Sequence, residues 1–195
     1  MRTINHILTP AYSTKTNRGK HKMFMKCICL FAAIMFLCRP RSVAQDVNYA
    51  IHANIIYHFT KYIDWPPSRK SGDFIIGIVG TTPLTDELKT SLANKKVGVQ
   101  NIIVKKYPAS TASFDCHILF ISEDETRSFK KILAATKGLS ILVVSEAEDL
   151  ALRGSCINFT IANERLKLEI NKVNIEQREL SIASELLKLG TIVKN

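Results

Sequence analysis

Apolar positions recur along this chain in two rhythms, one of about four residues and one continuous or alternating. Their order predicts the architecture. Val47, Ile51, Ile55, Phe59 and Ile63 stand at i+4 spacing and predict an amphipathic helix over 46–64. Trp65-Pro66-Pro67 ends it, because a residue before proline is pushed out of the helical region. A polar turn follows at 68–73, and then the run FIIGIVG at 74–80 reads as a buried strand. Thr82 is placed to cap a helix that starts at Pro83 and runs to about Ala93, with Asn94-Lys95-Lys96 closing it. Residues 101–107 and 117–122 are the next strands, and a charged helix is expected from Glu123 to Ala135, with Gly138 beyond its end. A fourth buried strand, SILVVS at 140–145, leads into a short helix over 146–153 and Gly154. CINFTIA (156–162) and RLKLEIN (165–171) alternate across Asn163-Glu164 and predict a half-exposed hairpin. Helical segments near 172–178 and 182–193 close the chain, the second with a stripe of Ile182, Leu186, Leu189 and Val193.

Four near-continuous apolar strands interleaved with helices imply an α/β fold. The expected form is a Rossmann-like, largely parallel sheet covered by helices on both faces, with a C-terminal antiparallel hairpin and a terminal helix.

The N-terminal region follows a different pattern. Residues 27–38, CICLFAAIMFLC, are an unbroken apolar run of twelve. That is the length of a signal-peptide core and short of the ~20 residues a spanning helix needs. Lys20, Lys22 and Lys26 precede it, and Ser42-Val43-Ala44 suits cleavage before Gln45. Export is the reading this supports, with residues 1–44 as leader and 45–195 as one domain. An uncleaved anchor is the alternative, favoured by Arg39 and Arg41 on the far side of the run. Leu37 before Cys38 argues against lipidation, and Met23 or Met25 would give a more ordinary start.

Charge changes the picture only until it is placed. The chain carries 27 Lys+Arg against 17 Asp+Glu, a formal +10. Residues 1–44 hold eight of the basic residues and no acidic one, which leaves 19 against 17, or +2, for the rest. A nearly balanced domain gives nucleic acid no electrostatic footprint, so no nucleic-acid partner is expected.

Candidate chemistry is sparse. Of five cysteines, Cys27, Cys29 and Cys38 lie in the leader, leaving Cys116 and Cys156. An oxidising compartment permits these two to bridge, and two buried thiols fit equally well. Gly77 and Gly80 are spaced G-x-x-G, which lacks the further glycine of a dinucleotide loop and reads as a tight strand-to-helix turn. His52 and His58 are six apart on one helix and face different directions, and Cys116 and His117 point to opposite faces of a strand. No metal site or cofactor is implied. The acidic groups Glu123/Asp124/Glu125 and Glu146/Glu148/Asp149 stand at expected helix starts, where the dipole favours them. No convergent acid, base and nucleophile marks an enzyme, so no catalytic residue is assigned. Tyr57, Phe59, Tyr62 and Trp65 crowd the end of the first helix and spread around it. Either the group is partly exposed for a partner or planar ligand, through Tyr57, Tyr62 and Trp65, or two rings pack inward and two lie against the Pro-Pro corner.

The order Tyr49-Ala50, Ile55 and Phe59-Thr60-Lys61-Tyr62-Ile63-Asp64-Trp65-Pro66 resembles the opening of the YfiR family of exported bacterial proteins. Phe74-x-Ile76-Gly77-Ile78-x-Gly80, Cys116 to Ile121, Leu142 to Ser145, Leu168 to Asn171 and Leu180 to Leu189 continue the resemblance in order. It implies a periplasmic, non-enzymatic regulator that binds the periplasmic part of a membrane diguanylate cyclase and lowers cyclic-di-GMP. A sensor kinase is another partner it allows, as are a homodimer and a small-molecule modulator. A periplasmic small-molecule binding domain without a cyclase partner is the alternative, with a pocket expected at the carboxyl ends of the strands near Gly80 and Ser145. Gly154-Ser155-Cys156 replaces a glycine pair common in the family, which puts any carried-over disulfide in doubt.

Overall fold

The computed structural model describes residues 48–162 and 165–194, so the leader and its cleavage site lie outside the described residues. The first described element is helix α1, Tyr49–Tyr62. Its buried side chains are His52, Ala53, Ile56 and Phe59. The face is therefore rotated from the i+4 row read in the sequence, and Ile51 is 48% exposed. A strict i+4 row advances 400° per step and drifts 40° off any one face; steps of four and three, as in 52, 56, 59, stay on it. The helix stops at Tyr62, because Ile63–Asp64 (β1) is extended and pairs antiparallel with Ser181–Ile182 (β9).

A single turn of 3-10 helix at Pro67–Arg69 leads into β2, Phe74–Val79. Helix α2, Leu84–Leu92, follows, and the Thr82 hydroxyl accepts the Leu84 amide at 3.2 Å, the capping role expected of it. The chain continues through β3 (Lys96–Val97), β4 (Gln100–Tyr107), β5 (Ile118–Ile121), α3 (Phe129–Ala135) and β6 (Leu142–Ser145). After these come β7 (Ile157–Ala162), β8 (Arg165–Ile170), α4 (Lys172–Glu176), β9, α5 (Ser184–Leu187) and β10 (Thr191–Ile192).

Eight strands form one sheet in the order β10-β8-β7-β6-β5-β2-β4-β3. The pairings β2·β4, β2·β5, β5·β6, β6·β7 and β8·β10 are parallel; β7·β8 and β3·β4 are antiparallel. Every residue of β5 and β6 is buried, so both faces of the sheet centre are covered, as continuous apolar strands require. Chain order reverses between β2 and β5, the switch point at which doubly wound sheets open a crevice.

Three expected helices differ from those found. The segment from Glu123 forms a 3-10 turn to Glu125, and α3 starts only at Phe129. Tertiary bonds claim the first residues: Asp124 accepts the Thr81 amide at 3.0 Å, and the Glu123 amide points to Glu146. Residues 146–153 form turns instead of a helix. Asp149 has φ +61°, and the carbonyls of Ala147 and Ala151 accept side-chain amides from Asn158, Asn171 and Asn174. Such side chains offer the backbone an alternative to the helical ladder. The 182–193 helix is reduced to α5, with Ile182 in β9 and Ile192 in β10 beside Ile170. Leu186 alone of the expected stripe is buried, and Leu189 is exposed.

Cys116 and Cys156 are both buried and free. They stand at the heads of β5 and β7 with β6 between. Two strand spacings put them roughly 10 Å apart, beyond the ~7 Å that a disulfide spans.

Candidate functional site

Polar side chains gather at both ends of the parallel strands, and the two ends are built differently. At the amino ends stands His117, which immediately precedes β5. Its Nδ1 accepts the Ile75 amide at 3.0 Å, so Nε2 carries the proton and donates to the Arg69 carbonyl at 2.9 Å. Phe74 stacks on the ring at 4.4 Å, and Trp65 meets it edge-on at 6.2 Å while donating from Nε1 to the His117 carbonyl. Burial lowers the His117 pKa, which keeps the ring neutral as both hydrogen bonds require.

Trp65 thus belongs to the core, at 5% exposure, and is not available as an outward contact. Of the aromatic group, Phe59 and Trp65 pack inward while Tyr57 and Tyr62 stay half-buried. Lys95 and Lys61 lie over the Tyr57 ring at 4.4 and 5.2 Å, and His58 stacks on Tyr62 at 6.4 Å.

At the carboxyl ends, the crevice at the switch point is closed by the chain itself. Gly80, at φ +97°, turns under the Asp124 carboxylate, and a Cβ there would run into Ser122 and Asp124. The single Ser122 hydroxyl proton is shared between Asp124 and the Val79 carbonyl. These bonds hold Asp124 below the usual carboxylate range, Ser122 contributing most. An internal carboxylate occupies the place where a bound anion would otherwise meet the amides.

One strand over, beyond β6, a cleft of about 460 Å³ remains. Tyr49 and His52 reach it from α1, Phe159 and Glu169 from the β7–β8 hairpin, and Glu123, Glu146, Glu148 and Asp149 from the two loops. Beside it, buried Asn158 accepts from Ser145 Oγ at 2.7 Å and donates to the Ala147 carbonyl and to Glu169 Oε2 at 2.9 and 3.0 Å. This network fixes the spacing of the loop and hairpin. Five carboxylates line the cleft and no Lys or Arg is among its described lining residues. Burial raises Glu146 to about 7, opposed by hydrogen bonds from the Glu123 amide and Tyr49 hydroxyl and assisted by the Glu123 charge. His52 is 3% exposed and wedged between Tyr49 at 5.2 Å and Phe159 at 4.5 Å. Its Nδ1 lies 3.2 Å from the Asn48 carbonyl and must donate to it, which leaves Nε2 as an acceptor without a protein partner among the described residues.

The pocket expected near Gly80 and Ser145 is therefore displaced: Gly80 is sealed, and the cleft opens after Ser145. Tyr49, His52 and Glu146 were not singled out by sequence reasoning for this place. The signal available was positional, since Glu146 directly follows a buried parallel strand. Among the described residues no three His, Cys, Asp or Glu groups converge to hold a metal ion.

Comparison with curated proteins returned no match. A family model described as YfiR/HmsC-like matches residues 49–191, from the first residue of α1 into β10. The match covers well over half of the chain and every element that frames the cleft, and the chain belongs to the YfiR/HmsC-like family.

Proposed function

We propose that this chain is an exported, non-enzymatic regulator that binds the periplasmic part of a membrane signalling protein. Its partner on this reading is a diguanylate cyclase, which it represses, lowering cyclic-di-GMP on the other side of the membrane. The observation that carries the reading is the family match over residues 49–191. Export rests on the apolar run at 27–38 and the small residues before Gln45. Repression needs no chemistry, only tighter binding to the inactive than to the active partner. The state of Cys116 fits a non-enzymatic role: burial pushes its thiol up to about 12, so it is protonated at neutral pH.

The half-buried rings of Tyr57 and Tyr62 form the contact surface in this reading. Amphipathic aromatic rings at a surface, with lysines laid over one of them, are the residue types that anchor protein interfaces. A second reading, a periplasmic small-molecule binding domain without a cyclase partner, is favoured by the cleft beside Glu146.

Capture from detergent-solubilised envelope of the source organism, with the purified protein as bait, tests the first reading. Recovery of a membrane cyclase or sensor kinase, with loss of recovery in a Tyr57→Ala/Tyr62→Ala variant, is the expected outcome. A folded bait that returns no membrane signalling protein would turn the account to the second reading.

A further inference from the structure

We propose that the cleft at the carboxyl ends of β5, β6 and β7 is a binding site for a small organic di- or polyamine. Glu123, Glu146, Glu148, Asp149 and Glu169 are acceptors when ionised, and His52, 97% buried, lines the same cleft with an acceptor nitrogen that has no partner among the described residues. A ligand that satisfies such a wall brings donors and positive charge. Ammonium has three donors and no acceptor, and the Tyr49 and Phe159 rings line the same cleft.

The carboxylates come from three separate stretches of chain and do not converge in threes, which disfavours a single metal ion and favours charges spread along a flexible chain. The cleft is also kept at a cost. Burial disfavours ionised Glu146 beside Glu123, and no basic residue of the described lining relieves it. A cation in the cleft would supply the missing partner. It would touch α1, the β7–β8 hairpin and both loops at once, so occupancy would tie α1 to the sheet. The inference does not depend on which protein the chain regulates.

Calorimetric titration of the purified protein with putrescine and spermidine, at pH 6 and pH 8 and physiological salt, tests it, with 1,4-butanediol and calcium chloride as controls. The groups facing Glu146 are Tyr49 and His52 from α1, Glu123 and Asp124 from the loop after β5, Glu148 and Asp149 from its own loop, and Glu169 from β8. Of these, Glu146 has its midpoint near 7, and releasing its proton on binding makes the amine bind about tenfold tighter at pH 8 than at pH 6. Saturable amine binding with that pH dependence and no diol binding is the expected result. Glu146→Gln should weaken it at least tenfold, and Glu148→Gln, at an exposed position, by a few-fold. Absence of saturable amine binding, calcium binding in its place, or binding that Glu146→Gln leaves unchanged would overturn the proposal. Should Glu146→Gln fail to fold, the wild-type profile decides, and an affinity flat from pH 6 to pH 8 overturns it.

Discussion

Two of the described histidines are buried, at opposite ends of the same parallel strands, and they are treated differently. His117 spends both ring nitrogens on backbone groups, sits against Phe74 and Trp65, and ties the Pro67–Arg69 turn to β2 and β5. His52 spends one nitrogen on Asn48, has no partner for the other among the described residues, and lines a cleft of carboxylates. Burial depresses both pKa values, so titration alone does not separate them. The partners do. A buried polar group with every bond made is a structural fastener, whereas one left open beside half-buried Glu146 is arranged for something that is not the protein.

The sharpest break of the comparison is at the amino end. Trp65→Ala removes a buried indole packed on Phe74 and bonded to His117, and should cost about 3–5 kcal/mol by urea unfolding. A loss below about 1 kcal/mol would return Trp65 to the surface. Next in size is His117→Ala, which orphans the Ile75 amide and leaves the Arg69 carbonyl with Gln100 alone, and should cost about 2–3 kcal/mol. His52→Ala removes one bond to the Asn48 carbonyl, which keeps the Ile51 amide, and should cost less than His117→Ala in the same titration.

Acid sharpens the contrast. Both histidines have folded pKa values below the unfolded 6.5, so the unfolded chain binds more protons below that value. Their contribution to stability is present above pH 6.5 and is lost as pH falls below it. A chemical-denaturation series from pH 8 to pH 5 should show that fall, and it should be shallower in His117→Ala.

Glu146 works in the opposite sense. Its folded pKa, about 7, is above the unfolded 4.5, so the folded state is favoured by the bound proton at low pH and loses that advantage as pH rises through 7. Glu146→Gln should therefore raise stability at pH 8, on the order of 1 kcal/mol once solvent screening is allowed for. The smallest effects belong to the outward face of α1, where Tyr57→Ala and Tyr62→Ala should each change stability by less than about 1 kcal/mol.

The sheet was legible because its strands are long apolar runs bounded by Pro, Gly and charge. FIIGIVG, HILFIS and SILVVS each became a buried parallel strand. The helices that failed to form were those whose first residues are claimed by distant partners. Glu123 and Asp124 are held by Glu146 and Thr81, and the 146–153 carbonyls by Asn158, Asn171 and Asn174, bonds that span up to 43 positions and leave no local periodicity. Ile182 and Ile192 looked helical by spacing, yet each pairs with a strand formed far earlier in the chain. The cleft was hidden for the same reason. Tyr49, His52, Glu146 and Glu169 lie up to 120 residues apart, and only the pairing β5-β6-β7-β8 brings them together. Tyr57 and Tyr62 were visible because aromatic rings on a helix surface need no partner to be noticed.

The most direct test of the claim that the carboxyl end is kept for a ligand is a pair of thermal melts at pH 8. Wild type and Glu146→Gln would be melted with and without spermidine. The predicted result is a variant that melts higher than wild type alone and is not raised further by spermidine, while wild type is raised. A variant that melts lower and still responds to spermidine would make Glu146 a structural residue and leave the cleft without its proposed role.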